Sequence, residues 1–291
     1  MTALRSRHLL LAFVAAPLAL GLAGCKKDEA AAGAPAGAAI AKVAAPAGQS
    51  WADVVEPTAG GGMLMGNPSA PIKLVEYGSL SCPHCARFAV EAMEPLKAEF
   101  VSSGRVSYEY RSFAIHPQDI PLTMLVRCAP KDAFFPLVEQ IYGNFEAMQV
   151  PLQDPAVQKA AEAAGALPPA QRFPALADAL KYTDFFAARG ISVDQAHACL
   201  AKLETATEVA NHAKSYGQAG INQTPTMVLN GFQLPAEQSE WPKVAAALRA
   251  AGARGAPRRG GKQADRCGSS GSSSAVSRAL SSRLNCGSSQ G

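Results

Sequence analysis

The chain has 291 residues, of which 48% are hydrophobic, and carries a formal net charge of +4. This length allows one or two globular domains with a sizeable core. The positive charge lies at the two ends, with +2 in residues 1–24 and +6 in residues 252–291, so that residues 25–251 carry −4. A basic nucleic-acid-binding face is therefore not expected in the central part of the chain.

The first residues of the chain predict export. Arg5 and Arg7 precede the apolar run LLLAFVAAPLALGLAG, which is short and rich in small residues for a membrane span. The run ends in LAGC, residues 22–25, which resembles the bacterial lipobox, where the cysteine is lipidated and becomes the mature N-terminus. We expect residues 1–24 to be a lipoprotein signal peptide and Cys25 to carry the lipid; a plain secretory signal is the alternative. In both cases the mature chain meets an oxidising compartment, the periplasm.

A flexible tether is expected next, because residues 25–50 consist mostly of Ala, Gly and Pro. Two short strands, DVVEP and GMLMG, open the folded part, and IKLVEYGS (72–79) is a clear strand. The helix that follows has Pro83 in its first turn and apolar residues at spacings of three and four, and Pro95 is expected to kink or restart it. RVSYEYRSF (105–113) alternates and predicts a second strand, parallel to the first.

The pattern then becomes helical over residues 118–219. SVDQ (192–195) is typical of a capping box and predicts a long helix through about Tyr216. TPTMVLNGFQLP (224–235) predicts a strand, a turn and a strand, and Ser239 is the expected cap of a last helix over 240–250. This order predicts an α/β sheet with a helical insertion. The remainder, 252–291, is rich in Gly and Ser without apolar periodicity and is expected to be a disordered basic tail.

The segment SLSCPHCARF (79–88) carries the candidate chemistry, because its two cysteines lie between a strand end and a helix start. The first turn of a helix has unpaired N–H groups and a partial charge of about +0.5. A thiolate on Cys82 is stabilised by both, and His84 can add a positive charge or a donor. Such surroundings lower a cysteine pKa from about 8.5 to about 3.5–7.5. Cys85, one turn further on, points inward and can resolve a mixed disulfide.

Other functions of this cysteine pair fit less well. A c-type haem requires a histidine directly after the second cysteine, where Ala86 stands. A zinc site requires two more ligands, and the chain has no second Cys-x-x-Cys, while His116, His197 and His212 are scattered, so that no metal is expected. A purely structural disulfide would close almost no loop and stabilise little. Redox catalysis is the favoured interpretation.

Two motifs together carry a family resemblance. VEYGSLSCPHC, followed far downstream by GINQTPTMVLNG, resembles the DsbA-like thiol:disulfide oxidoreductases of the thioredoxin superfamily over roughly residues 51–251. The resemblance implies a thioredoxin-like fold with an inserted helical domain. Its first part would be residues 51–117, the insertion 118–200 and its second part 201–251.

The resemblance also implies roles for individual residues. Cys82 matches the exposed nucleophile and Cys85 its buried partner, with the Pro83–His84 dipeptide typical of the family between them. Thr224–Pro225 matches the cis-proline loop, which binds the substrate backbone in an extended, strand-like pairing. Glu76 matches a buried acid that helps move protons at the inner cysteine; a surface charge at the sheet edge is the alternative.

The other cysteines are assigned as follows. Cys128 and Cys199 stand at the two ends of the helical block, and resemblance to family members with a second disulfide in the helical domain implies a bridge between them. Two free buried thiols are the alternative. Cys267 and Cys286 lie in the basic tail and receive no function.

The function implied is that of a disulfide oxidase, which introduces disulfides into secreted proteins by exchange at Cys82 and Cys85. No cofactor is expected beyond this redox-active pair. The expected partners are reduced, unfolded secreted proteins, a quinone-linked membrane reoxidase and the membrane that holds the lipid anchor. The chain is expected to be a monomer and not to bind nucleic acid. Two alternatives stay open: a disulfide reductase or isomerase, and a non-catalytic lipoprotein that holds clients or a metal.

Overall fold

A computed structural model of the protein describes residues 37–254. The predicted signal peptide, the proposed lipidation site Cys25 and the tail cysteines Cys267 and Cys286 lie outside the described residues. Within residues 37–254, no helix has both the length and the apolarity to cross a membrane.

The sheet has six strands, in the order β1-β2-β4-β3-β5-β6. The strands are β1 Val55–Pro57, β2 Met63–Gly66, β3 Ile72–Gly78, β4 Val106–Ser112, β5 Thr226–Leu229 and β6 Phe232–Gln233. Only β3 and β4 pair in parallel, and the other neighbours are antiparallel. All six lie within the segments predicted to form strands, and the parallel pairing is confirmed.

Strand β3 is central, with β4 on one side and β5 on the other. Its side chains alternate between buried and more exposed positions, as the period of two in a strand requires. Ile72 and Leu74 therefore face the core, and the same alternation places Glu76 on their buried face.

Ten α-helices accompany the sheet in the described part of the chain. They are α1 Pro83–Pro95, α2 Asp119–Cys128, α3 Phe134–Gly143, α4 Phe145–Gln149, α5 Pro155–Gly165, α6 Pro169–Ala179, α7 Tyr182–Ala187, α8 Val193–Leu200, α9 Leu203–Gln218 and α10 Trp241–Ala250. Helix α1 packs against α3 and α10. After Pro95 the chain continues as a π-helical turn, Leu96–Phe100, which is the irregularity expected at this proline. Helices α2–α9 lie between β4 and β5 in the chain, and the predicted insertion, 118–200, covers α2–α8.

The predicted long helix from residue 192 is wrong, because the chain forms α8 and α9 with a break at Lys202. Ser192 does cap α8 by accepting the Gln195 N–H. However, the buried face of α8 ends at Leu200, and α9 buries its first residue at Ala206. Leu200 and the next buried residue of α9, Val209, lie nine residues apart, which turns a continuous helix by about 900°, so one helix would place them on opposite faces.

The expected cap of the last helix is also different. Helix α10 begins after Glu240, and Ser239 is buried one residue earlier, with no hydrogen-bond partner for its hydroxyl among the described residues. Pro242 at the second helical position fits this start, since the first turn has no use for its missing N–H.

Residues 37–50 do not form a free tether, which corrects the predicted range of 25–50. The Gly37 and Ile40 N–H groups donate to carbonyl oxygens of Ala250 and Gly252, at 2.9 and 3.0 Å, and Ile40 packs against the core. At the other end of the domain, Gly252 and Ala253 are buried, so the predicted tail does not begin at 252. The prediction from composition considered only the side chains, whereas these contacts are hydrogen bonds between backbone groups.

Cys128 at the end of α2 and Cys199 in α8 form a disulfide, with 6.0 Å between their Cα atoms. This confirms the bridge implied by the family resemblance. The bond links two helices of the insertion that lie 71 residues apart in sequence.

Replacing both Cys128 and Cys199 by alanine is expected to lower the free energy of unfolding by about 4 kcal/mol. A loop of this length gives that value in the chain-entropy description of the unfolded state. Denaturant titrations should use a background with Cys82→Ser and Cys85→Ser, so that the two proteins compared differ in one disulfide. Equal unfolding free energies would show that this bridge does not stabilise the fold.

Candidate active site

Cys82 and Cys85 lie at the junction of β3 and α1, as predicted. Cys82 is the N-cap of α1 with extended backbone (φ −91°, ψ 123°), and Pro83 begins the helix. Both cysteines are free thiols. Cys82 is only 5% exposed and Cys85 is fully buried, so the expected exposed nucleophile is the more accessible of two buried sulfurs.

The Cys82 sulfur is surrounded by hydrogen-bonding groups. A hydrogen bond from the Cys85 thiol is the largest influence on its pKa, and it outweighs the opposing effect of burial. Thr224 and the backbone N–H groups of Cys85 and His84 contribute further hydrogen bonds, and together they lower the pKa of Cys82 to about 5. When protonated, the Cys82 thiol donates to the Thr224 carbonyl oxygen at 3.4 Å. The site thus favours a thiolate at position 82.

Cys85 has the opposite environment. Burial raises the pKa of the Cys85 thiol well above its ordinary value, and its hydrogen bond to Cys82 and the charge of Glu76 raise this pKa further. A hydrogen bond from the Ser79 backbone partly counters the effect. Two neighbouring thiols with pKa values driven in opposite directions are suited to different roles in one reaction.

His84 is expected to add a positive charge or a donor at Cys82, and its backbone N–H is one of the donors that lower the pKa of Cys82. Its ring Nδ1 lies 2.6 Å from a terminal nitrogen of Arg87. The hydrogen-bonding groups that lower the pKa of Cys82 include the His84 N–H and not its ring. A catalytic role for the His84 side chain stays a prediction.

Glu76 is buried in the centre of the sheet, with 1% of its surface exposed, so its interpretation as a surface charge is wrong. The Tyr108 hydroxyl donates to Oε2 at 2.6 Å, and Oε1 has no hydrogen-bond partner among the described residues. Burial raises the pKa of Glu76 to about 8, and the charge of Cys82 raises it too, while the Tyr108 hydrogen bond acts against both. This carboxyl is therefore able to hold or release a proton near neutral pH.

The Thr224–Pro225 peptide bond is cis. It lies beside the dithiol because β3 and β5 are antiparallel, which puts the end of β3 next to the start of β5. A cleft of about 480 Å³ opens here between α1, the cis-proline loop and the start of α10. Its walls include His84, Thr224, Pro225 and Trp241.

Sequence reasoning missed a polar cluster under the dithiol. Asp119 is fully buried and accepts hydrogen bonds from Ser79 and Ser81, the residues that lead to Cys82. The Tyr142 hydroxyl donates to the Ser79 carbonyl oxygen at 3.0 Å. About 40 to 60 residues separate these partners in sequence, and no local motif marks such a contact. Only the parallel pairing of β3 and β4, which brings the loops after both strands to one edge, hints at it.

The three scattered histidines do not converge. His116 lies beside Ser81, His197 pairs with Asp178 at 2.9 Å, and His212 lies 3.6 Å from Glu208. Within residues 37–254, no group of three or more His, Cys, Asp or Glu side chains is arranged to hold a metal ion.

The profile of the thioredoxin family matches residues 58–250, about two thirds of the chain. The chain belongs to the thioredoxin family. The cysteine pair at the start of α1, the central parallel strands and the cis-proline loop all lie within the matched range, as does the helical insertion that follows β4. The predicted thioredoxin-like fold with an inserted helical domain is confirmed.

Several known proteins are similar to the chain. A crystal structure of protein-disulfide isomerase from Novosphingobium aromaticivorans has 28% sequence identity and a TM-score of 0.59, over 64% of this chain and 95% of that one. The structure of alpha-DsbA1 from Wolbachia pipientis, with 18% identity and a TM-score of 0.50 over 64% and 91% of the two chains, shares the fold.

Sequence relatives match over shorter stretches. A Rickettsia bellii protein named for protein-disulfide oxidoreductase activity is 35% identical over 66 residues, which are 23% of this chain and 26% of that protein. A Bacillus cereus protein named for disulfide bond formation is 31% identical over 84 residues, 28% and 39% of the two chains. The chain thus matches about a quarter to two fifths of the length of these relatives.

Alkylation of the reduced protein by iodoacetamide is expected to have a midpoint near pH 5 at Cys82, because the thiolate is the reactive form. Peptide mapping by mass spectrometry assigns the label. A Cys82→Ser variant serves as the control, and its peptide that spans residues 79–88 should take up no label in the native state, since Cys85 is buried and protonated. A midpoint near 8.5, as in free cysteine, would contradict the hydrogen-bonded thiolate.

Replacing Glu76 by glutamine is expected to remove a pH dependence of stability. The pKa of Glu76 is about 8 in the folded protein and about 4.5 when unfolded. Between these values the unfolded state has released the proton while the folded state retains it, so stability falls as pH rises. The unfolding free energy of the wild type should decline relative to that of the variant by at most about 1.4 kcal/mol per pH unit.

The control for this series is Glu94→Gln, which removes the same charge from an exposed position on α1. It reports the part of the pH dependence that comes from net charge alone. Parallel curves for the wild type and Glu76→Gln between pH 4.5 and 8 would mean that Glu76 does not retain a proton in the folded state.

Proposed function

We propose that this protein is a thiol:disulfide oxidoreductase that works mainly as a disulfide oxidase. The observation that carries the proposal is the low pKa of Cys82 beside the high pKa of Cys85. A stabilised Cys82 thiolate stabilises the reduced protein, so the oxidised protein tends to give its disulfide away. The similarity to proteins named for disulfide exchange and disulfide formation supports the same activity.

The magnitude of this effect favours oxidation over reduction. Each pKa unit corresponds to about 1.36 kcal/mol, and about 1.4 kcal/mol equals 30 mV in a two-electron couple. At pH 7 an ordinary cysteine is protonated, so only the roughly two units between pH 7 and a pKa of about 5 count, and they raise the reduction potential by on the order of 60 mV. That is enough to separate a donor of disulfides from a general reductant.

The exchange proceeds in two steps. A substrate thiolate attacks the Cys82 sulfur of the oxidised protein, the Cys82–Cys85 bond breaks, and Cys85 leaves with the electron pair. A second substrate thiolate then attacks the substrate sulfur of the mixed disulfide and releases Cys82 as a thiolate. The substrate loses two electrons and the protein gains them. Glu76, whose pKa is near 8, is the group proposed to supply the proton that Cys85 takes up.

The cis-proline loop is the proposed binding element for the substrate backbone. It borders the Cys82 sulfur through the Thr224 carbonyl oxygen and forms one wall of the cleft of about 480 Å³. An extended substrate chain laid along Thr224 and Pro225 would bring its cysteine to Cys82 by strand-like pairing.

The proposed setting is the periplasm, with the chain anchored to a membrane by lipid on Cys25. The disulfide between Cys128 and Cys199 supports an oxidising compartment. Reduced, unfolded secreted proteins are the proposed substrates, and a quinone-linked membrane protein is the proposed reoxidant. The monomeric chain needs no cofactor beyond the Cys82–Cys85 pair for this chemistry.

Disulfide isomerase activity is the second candidate. It is favoured by similarity to the Novosphingobium aromaticivorans protein named as a protein-disulfide isomerase, which is 28% identical and is matched over 95% of its chain. The same two sulfurs would serve, because isomerisation requires Cys82 to attack a wrong disulfide and leave again.

The deciding experiment combines a glutathione redox titration of the full chain with two turnover assays, oxidation of a reduced dithiol peptide and rearrangement of a scrambled disulfide protein. An oxidase is expected to equilibrate well above the glutathione couple and to oxidise the peptide, and Cys82→Ser should do neither. A potential at or below that of glutathione would overturn the oxidase assignment. Rapid rearrangement with slow oxidation would favour the isomerase, and client binding without turnover would favour a non-catalytic holder.

A further inference from the structure

A buried carboxylate next to the dithiol binds the turn that precedes Cys82. Asp119, the first residue of α2, is fully buried. Its Oδ1 accepts from the Ser79 hydroxyl and the Ser81 N–H, both at 3.0 Å. Its Oδ2 accepts from the Ser79 hydroxyl at 2.9 Å and from the N–H groups of Ile115 and His116 at 3.1 and 3.0 Å.

These donors belong to two separate loops. Residues 79–82 connect β3 to α1, and residues 113–118 connect β4 to the helical insertion. Because β3 and β4 are parallel, both loops leave the sheet at the same edge. All the donors within hydrogen-bond distance are neutral, and the nearest cationic candidate, the Nδ1 of His116, lies 3.7 Å from Oδ2. The carboxylate therefore connects the two loops through directed hydrogen bonds.

The turn that Asp119 binds, residues 79–82, carries Cys82 and is also hydrogen-bonded to Cys85. The Cys82 N–H donates to the Ser79 carbonyl oxygen at 3.1 Å, and the Tyr142 hydroxyl donates to the same oxygen at 3.0 Å. The Ser79 backbone also hydrogen-bonds the Cys85 sulfur. A shift of Ser79 would thus move the backbone that carries Cys82 and withdraw a donor from Cys85.

We propose that Asp119 is a positioning residue for the Cys82–Cys85 dithiol, holding the 79–82 turn so that the Cys82 sulfur faces the N–H groups at the start of α1. This inference rests on the proposed function and adds a residue from the helical insertion to its machinery. Without the clamp, the turn relaxes and the protein becomes a weaker oxidant.

Position and charge predict opposite outcomes for Asp119. As a negative charge, Asp119 can only disfavour a thiolate nearby, so its neutralisation alone would lower the pKa of Cys82. As a clamp, its loss would raise that pKa, because the sulfur would leave its hydrogen-bond donors. The sign of the shift therefore separates the two roles.

The test uses the reduced full chain and two variants, Asp119→Asn and Ser79→Ala. Asparagine keeps the size of the side chain but replaces one acceptor oxygen by a donor. Alanine removes the hydroxyl that donates to both carboxylate oxygens and leaves the charge of Asp119 in place. In both variants, the alkylation midpoint of Cys82 is expected to rise by about one pH unit. The equilibrium constant for reduction of the protein by glutathione should fall about tenfold.

The matched controls are Asp178→Asn and Thr183→Val. Thr183 donates to Asp178 at 2.7 Å, so this is the same kind of hydroxyl–carboxylate pair, and neither side chain is hydrogen-bonded to the 79–82 turn. Both controls should leave the alkylation midpoint of Cys82 unchanged, even where the unfolding free energy falls.

The proposal is overturned if Asp119→Asn lowers the alkylation midpoint, which would be a charge effect. It is also overturned if the midpoint stays at the wild-type value while the unfolding free energy falls, which would be a structural role only. Should Asp119→Asn not fold, Ser79→Ala decides, since it removes the contact without the charge: a Cys82 midpoint that does not rise above the wild-type value overturns the proposal. The wild-type glutathione equilibrium, measured alongside, tests the proposed function separately, since it does not depend on any variant.

Discussion

The site depends on one interaction, the acceptance of hydrogen bonds by the Cys82 sulfur at the start of α1. A helix start leaves N–H groups without partners inside the helix, and here the N–H groups of His84 and Cys85 find one in a sulfur atom. Burial works against the thiolate, because a charge loses solvation there. The hydrogen bonds from the Cys85 thiol, from Thr224 and from the backbone outweigh this loss. These hydrogen bonds require their donors to stay close to the sulfur, and the β3–α1 turn and the cis-proline loop hold the donors in place.

Burial is the main reason why the neighbouring acids, Glu76 and Cys85, are protonated, and the Cys82 thiolate adds to it. Cys82, Cys85 and Glu76 lie close enough for their charges to influence one another. A low-dielectric site that holds one negative charge disfavours a second, so the Cys82 thiolate helps to keep the proton on Glu76. Oxidation removes that thiolate and so eases the release of the Glu76 proton. Proton movement is thus coupled to electron movement through electrostatics alone, without a further ligand.

The sequence predicts those parts of the site that follow from local rules. Pro83 at the first helical position and the strand before it place the two cysteines, whereas the buried position of Glu76 is implied only by the family resemblance. Contacts between residues far apart in the sequence could not be predicted in this way. Asp119 meets Ser79 across 40 residues, and Lys202 breaks a helix because the buried face of the chain changes there. Both depend on what lies opposite in the folded protein, and composition misled in the same way for residues 37–50, where backbone pairing supplies the contacts.

The helical insertion is therefore more than a cover over the sheet. It supplies Asp119 from the start of α2 and Tyr142 from α3, and both bind the turn before Cys82. The opposite end of α2 is fixed by the disulfide from Cys128 to Cys199. Because protein interiors are close-packed, fixing one end of a helix also restricts the movement of its first residue. The hydrogen bonds of Asp119 and Tyr142 thus connect the insertion to the loop after β3, and residues of both position the two cysteines.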